Sequence, residues 1–153
     1  MSEYLAKIEW QRGDQVFTDN KYSRAHTWEF DGGLVVPASA SPDIVPLPYS
    51  LEYNVDPEEA FVAAISSCHM LFFLSIAGQK GLLIDRYIDN AYGIMEKDES
   101  GISSISKVVL RPEVTGSALT ISTEDLQAIH TKAHSLCFIA NSVKSEISIE
   151  VAN

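Results

Sequence analysis

The 153-residue sequence contains only two cysteines, Cys68 and Cys137. Two thiols are too few for a disulfide framework or a cysteine-only zinc site, and these two are too far apart for a Cys-x-x-Cys redox pair. They are either inert side chains of the core, where free cysteine is common, or a reactive pair. The residue types around them leave both interpretations open.

Basic residues are also scarce, with 11 Lys and Arg against 21 Asp and Glu and a net charge of −10. Nucleic acids and anionic membrane surfaces both require clustered Lys and Arg, so we expect neither as a partner. The start, Met1 to Tyr4, has no basic segment followed by an apolar run, so we expect no secretory signal. Together with the free thiols, this predicts a cytoplasmic protein.

Charge is absent from Ala60 to Gly78, a segment almost long enough to cross a bilayer of about 30 Å. Polar side chains at residues 66–69 and at Ser75 interrupt it, which favours a buried central helix instead.

Two helices are predicted from their capping residues. Asp56 is a suitable cap, and Pro57, Glu58 and Glu59 suit a first turn, so this helix should run to about Gln79 and end near residue 81. Ser122, with Asp125 three residues on, resembles a capping box and opens the second helix. The apolar stripe of the second helix consists of Leu126, Ile129, Ala133, Leu136 and Ala140.

The remaining segments predict strands and one long loop. Residues 6–10 alternate as in a half-buried strand, and residues 26–30, 34–36, 87–96, 103–110 and 143–151 are the other strand candidates. Four prolines between Pro37 and Tyr49 indicate an ordered loop. We find no repeat or linker, so the pattern predicts a single α+β domain over residues 1–153.

The predicted helices treat the two thiols differently. A free cysteine has a pKa of about 8.5. Cys68 lies about three turns into its helix, beyond the reach of the helix dipole, so an activating cation must come from elsewhere. Cys137 lies near a helix C-terminus, where the dipole disfavours a thiolate. A reactive pair would therefore use Cys68 to attack, although these observations alone favour inert core residues.

Two segments resemble the cysteine motifs of the OsmC/Ohr family of organic hydroperoxide reductases. The first is residues 56–70, DPEEAFVAAISSCHM, and the second is residues 134–143, HSLCFIANSV. Residues 22–28 and 30–33 are similar to the OsmC-like branch, so the resemblance covers nearly the whole chain. It implies an OsmC-like α+β fold with antiparallel sheets and two long helices, in an intertwined homodimer.

The resemblance also implies a cofactor-free and metal-free thiol peroxidase. Cys68 matches the peroxidatic cysteine, Cys137 the resolving one, and Glu58 and Arg24 the glutamate and arginine of the active site. The implied substrates are organic hydroperoxides, with inorganic peroxide a further candidate, and the implied reductant is a dithiol such as a lipoyl group. Arg24 would supply the missing cation and could pair with Glu58 through two hydrogen bonds.

Helix geometry predicts where this glutamate comes from. Glu58 and Cys68 are ten residues apart on one predicted helix, which separates them by about 15 Å along the axis and about 80° around it. A glutamate side chain cannot cover that distance. We therefore expect Glu58 to act on the thiol of a two-fold-related subunit.

A second constellation competes with this interpretation. His130, His134 and Cys137 follow one helix face, and His69 adjoins Cys68, so a metal site is a weaker alternative. The outer two of the three span about 10 Å of helix, so only neighbouring pairs could share an ion. The alternative function is therefore a non-catalytic dimer that binds an apolar ligand or a metal at the same pocket.

Overall fold

The computed structural model describes residues 1–152; Asn153, the last residue of the predicted domain, lies outside the described residues. The chain folds into two compact units, one comprising Met1–Ala60 and the other beginning at Phe61. The boundary lies near the start of a long helix. Whether the two units form one domain, as the sequence predicts, stays a prediction.

The first unit contains a three-stranded antiparallel sheet of β1 (Ala6–Glu9), β2 (His26–Phe30) and β3 (Val35–Ala38), in that order. The predicted loop begins later than expected, because Pro37 belongs to β3, an edge strand where its missing N–H is tolerated. The half-buried pattern predicted for β1 is wrong, since all four of its residues are exposed. Ile8, which the predicted pattern would bury, is 59% exposed.

The first helix, α1 (Pro57–Gln79), has the predicted bounds. Asp56 Oδ1 accepts a hydrogen bond from the Glu59 backbone N–H at 2.8 Å, and Glu59 Oε2 accepts one from the Asp56 N–H at 3.3 Å. This reciprocal pair caps the helix start. At the other end Gly81 adopts a φ of +73°, a left-handed conformation in which glycine ends a helix without strain.

The second unit contains two sheets. One pairs β4 (Arg86–Asp89) with β7 (Pro112–Thr115). The other has the order β5–β6–β8, formed by Tyr92–Lys97, Ser103–Leu110 and Glu146–Ile149. β5 and β6 are antiparallel, whereas β6 and β8 are parallel, so this sheet is mixed.

The single strand predicted over residues 87–96 is wrong, because β4 and β5 belong to different sheets. Asp89 ends β4, and its Oδ1 accepts a hydrogen bond from the Arg111 backbone N–H at 2.6 Å. The Arg111 guanidinium donates to the Asn90 carbonyl at 2.7 and 2.9 Å. These bonds hold the chain in a corner between the two strands, which the alternation of side chains did not reveal.

The second helix, α2 (Thr123–Leu136), begins as predicted, with Ser122 Oγ accepting from the Asp125 N–H at 3.1 Å. Its apolar stripe ends earlier than expected, because Leu136 is 38% exposed and Ala140 lies in a separate 3₁₀ turn. The predicted α+β class, with two helices and largely antiparallel sheets, is confirmed.

The helix α1 packs on two sides within the second unit. One buried cluster joins Phe73 and Ala77 of α1 to α2, and another joins Ile65 to β6. By length and composition alone α1 could also cross a membrane, a test that a core helix of a soluble protein passes equally. Its buried contacts support the core-helix interpretation.

Candidate active site

The two thiols lie next to each other in the second unit. Cys68 is in the middle of α1 and Cys137 is the C-cap residue of α2. Both are free, Cys68 is half-buried and Cys137 is buried, and Cys68 is close enough to Cys137 to affect the pKa of its thiol. Of the pair, Cys68 is therefore the thiol that a solute can reach.

Burial, together with the neighbouring Cys68 thiol, raises the pKa of the Cys137 thiol to about 11. The Ala140 N–H, which donates to Cys137 Sγ at 3.4 Å, opposes this effect only in part. Cys137 is consequently protonated at neutral pH. It is a proton donor and a poor nucleophile until it meets an activated sulfur.

Exposed apolar side chains lie close to the two cysteines along the chain. Leu71 lies about one turn beyond Cys68 on α1 and is 61% exposed, and Phe138 follows Cys137 and is 70% exposed. The ring of Phe72 meets Phe138 edge to face at 5.0 Å between centroids. An exposed apolar rim of this kind marks a surface that receives an apolar ligand or another protein chain.

Glu58 lies in the first turn of α1, ten residues before Cys68. Its Oε2 atom is buried and has no hydrogen-bond partner among the described residues. A buried carboxylate oxygen without a partner is unfavourable and requires an explanation. Within this chain, helix geometry keeps Glu58 about 15 Å from Cys68 along the axis.

Arg24 belongs to the first unit, in the segment that leads into β2. Its guanidinium donates to the backbone carbonyl and the side chain of Asn20 and to the carbonyl of Tyr22. Within residues 1–152 it forms no ion pair with Glu58 or any other carboxylate. The expected ion pair between Arg24 and Glu58 is therefore not formed within the described residues of the single chain.

A buried histidine pair links the two helices that carry the thiols. His69 Nε2 lies 2.9 Å from His130 Nδ1, and the rings are nearly parallel, at 5°. Burial lowers the pKa of each imidazole to about 4, so both are neutral and one N–H donates to the other ring. Sequence reasoning missed this pair, although the four-residue spacing of the buried residues Ile65, His69 and Phe73 could have placed His69 in the core.

No group of three His, Cys, Asp or Glu side chains that could hold a metal ion occurs in the part of the chain that the structure describes. A cavity of about 290 Å³ opens elsewhere in the second unit, and neither thiol lines it. Its lining residues are Phe61, Ser104, Ile105, Ser106, Lys144 and Ser145.

Comparison with known proteins places these features in a family. An OsmC-like protein of unknown function from Vibrio cholerae is 55% identical to this chain, covers 99% of it and 100% of its own chain, and superposes with a TM-score of 0.96. The organic hydroperoxide resistance protein OhrB of Bacillus subtilis is 18% identical, with a TM-score of 0.70 over 99% of this chain and 98% of its own. The organic hydroperoxide resistance protein OsmC of Legionella pneumophila is 16% identical, with a TM-score of 0.69 over 99% and 96%.

These two more distant likenesses establish the fold alone. No curated protein matches the sequence. The family model of OsmC-like proteins matches residues 51–152, which include both cysteines, Glu58 and the whole of α1. Together with the Vibrio cholerae relative, this match shows that the chain belongs to the OsmC-like protein family.

Proposed function

We propose that this protein is a cysteine-based peroxidase that reduces organic hydroperoxides. The observation that carries the proposal is the proximity of the two thiols, one accessible and one buried and protonated. Two relatives of the same fold are named as organic hydroperoxide resistance proteins, which supports this substrate class. The apolar rim around Cys68 suits an alkyl or lipid chain.

The reaction follows from the difference between the thiols. The Cys68 thiolate attacks one oxygen of the hydroperoxide, the O–O bond breaks, and the alkoxide takes a proton and leaves as an alcohol. Cys68 becomes a sulfenic acid. The Cys137 thiol then forms an S–S bond with the Cys68 sulfur, and the departing hydroxide leaves as water with the Cys137 proton. A dithiol of the lipoyl type reduces the disulfide by exchange and becomes a disulfide itself.

Arg24 and Glu58 complete the proposed site. Arg24 is the cation that a mid-helix thiolate requires, and Glu58 is its carboxylate partner. The partnerless Oε2 of Glu58 supports a role for Glu58 in an arrangement that the single chain does not contain. No cofactor enters these steps.

A homodimer is the simplest source of the missing arrangement. Small or apolar residues of α1 are exposed at helical spacing, at Ala64, Ser67, Leu71 and Ser75, and β1 is exposed along its whole length. A second copy of the chain would cover these surfaces and bring a second Glu58 to the thiol pair. We infer an obligate dimer that works in the cytoplasm, each subunit a single domain.

Oxidation of the purified, reduced protein with one equivalent of cumene hydroperoxide tests the proposal. A peroxidase loses both thiols rapidly and yields one intramolecular disulfide. Cys68→Ser is the matched control and should consume no peroxide, because its remaining thiol is buried and protonated. Slow or absent thiol loss in the wild-type protein would instead support the alternative, a non-catalytic dimer that binds an apolar ligand or a metal.

A further inference from the structure

Two neutral oxygens of Asn20 accept hydrogen bonds from the Arg24 guanidinium. The Asn20 carbonyl accepts a hydrogen bond from Nη1 at 2.9 Å, and its side-chain Oδ1 accepts one from Nη2 at 2.8 Å. Asn20 has a φ of +61°, the left-handed conformation that asparagine tolerates better than most residues. A carboxylate usually provides this two-point contact with arginine, and a carboxylate would also neutralise its charge.

The other contacts of the guanidinium are also neutral. The Tyr22 carbonyl accepts a further hydrogen bond from Nη1, and Arg24 Cζ lies 3.8 Å from the centre of the Tyr22 ring. Cation–π attraction fixes the cation over the ring without cancelling its charge. None of these contacts neutralises the guanidinium, so its charge remains for the carboxylate of Glu58 and the reacting anion of the proposed site.

The backbone around Arg24 is anchored as well. The Arg24 N–H donates to the Tyr49 carbonyl at 2.8 Å, and the His26 ring nitrogen Nδ1 lies 2.7 Å from the Arg24 carbonyl. One residue earlier, the Trp10 indole N–H donates to the Ser23 carbonyl at 2.9 Å. The segment thus presents Arg24 from a fixed backbone, and the conformation of its side chain depends on Asn20 and Tyr22.

We propose that Asn20 is a positioning residue that orients Arg24 without neutralising it. The inference rests on the proposed function, in which the charge of Arg24 assists the reaction of Cys68 with peroxide. Asn20 itself touches no reacting atom. Its role is to combine the geometry of a carboxylate partner with zero charge.

Two substitutions of Asn20 separate geometry from charge. Asn20→Gly keeps the left-handed backbone and the carbonyl acceptor but removes Oδ1, so the guanidinium should lose its fixed orientation. Asn20→Asp keeps both acceptors but adds a carboxylate against the cation. We expect each variant to lower the second-order rate constant for cumene hydroperoxide about tenfold, the effect of about 1.4 kcal/mol.

Lys21→Gln is the matched control for Asn20→Asp, because both change the net charge of the same loop by −1 and Lys21 is exposed. It should react with peroxide at a rate close to that of the wild type. If Asn20→Asp reacts as fast as Lys21→Gln, the charge-preserving role of Asn20 is refuted.

NMR of the arginine side chains keeps this test independent of enzyme activity. In the wild-type protein the Arg24 Nη protons should be resolved and slow to exchange, and Arg24→Lys assigns their signals. Asn20→Gly should broaden them, whereas unchanged signals would refute the role of Asn20 in orientation. A wild-type protein that shows these signals but consumes no peroxide would refute the proposed function and leave the Asn20–Arg24 geometry intact.

Discussion

The buried pair His69–His130 should make the protein less stable as the pH falls below neutrality. Both side chains are almost wholly buried, at 1% and 0% exposure, and burial lowers the pKa of each to about 4 in the folded state. In the unfolded chain a histidine has a pKa of about 6.5. Between these values the unfolded chain binds protons that the folded protein excludes, so stability falls as the pH is lowered from about 6.5 to about 4.

The size of the effect follows from the two pKa values. Lowering the pH from 7 to 5 should remove about 2 kcal/mol of unfolding free energy for each imidazole that stays neutral. The two shifts are not independent, because His69 itself contributes to the shift of His130. We therefore expect a loss of about 2 to 4 kcal/mol for the pair, a large fraction of the stability of an ordinary domain.

Urea unfolding of the reduced protein between pH 7 and pH 5 measures this loss. The control is the double variant His69→Asn/His130→Asn, which keeps polar side chains but cannot titrate. Asp89 and His134, which also act on the pKa of His69, remain in the variant, so changes in their own protonation occur in both proteins. Parallel stability curves for the two proteins would refute the reasoning.

A measurement on the folded wild-type protein covers the case in which the double variant does not fold. The ring C–H signals of His69 and His130 should keep their neutral chemical shifts down to pH 5. Titration of either ring near pH 6.5 would also contradict the prediction.

Three further predictions concern the thiols, the dimer and the packing. Cys137→Ser should react with one hydroperoxide and then, in excess peroxide, gain a second oxygen on Cys68 as sulfinic acid, which intact-mass measurement detects; normal turnover with a dithiol would contradict the resolving role. Mixing Glu58→Ala with Cys68→Ser subunits after reversible unfolding should restore one competent site per heterodimer, and inactive heterodimers would exclude a shared site. Gly116→Ala should lower the unfolding free energy by about 1 to 3 kcal/mol, because the added Cβ would overlap a backbone carbonyl. In the control Gly32→Ala the Cβ meets open space, so the unfolding free energy should change by less than about 0.5 kcal/mol. Urea unfolding measures both.

Local sequence determined the helices of this protein. Asp56 and Glu59 cap α1, Ser122 and Asp125 cap α2, and Gly81 ends α1 in a left-handed conformation, all from interactions between residues within a few positions of one another. Such interactions are readable from spacing alone because a helix brings near neighbours in sequence together in space. For the same reason the α+β class could be predicted from the sequence.

The strands were predictable only in part. The alternation of apolar and polar residues indicated β2 and β6, but it merged β4 with β5 and missed β7. It also did not show that β8 pairs with β6 in parallel. The corner between β4 and β5 depends on Asp89 and Arg111, which are 22 residues apart. Pairing between distant segments leaves no periodic trace in either one.

The candidate site depends on the tertiary structure even more than the strands do. The sequence named the two thiols, and only the resemblance to a family suggested that they act together. The packing of α1 against α2 brings them close together, and the same packing joins His69 to His130. Asn20 and Arg24 are close in sequence, yet their two-point contact depends on a left-handed backbone that no spacing rule predicts. Helix caps join residues that are close in sequence, so they can be predicted from the sequence. The chemistry of this site instead depends on side chains that meet only when distant elements pack together.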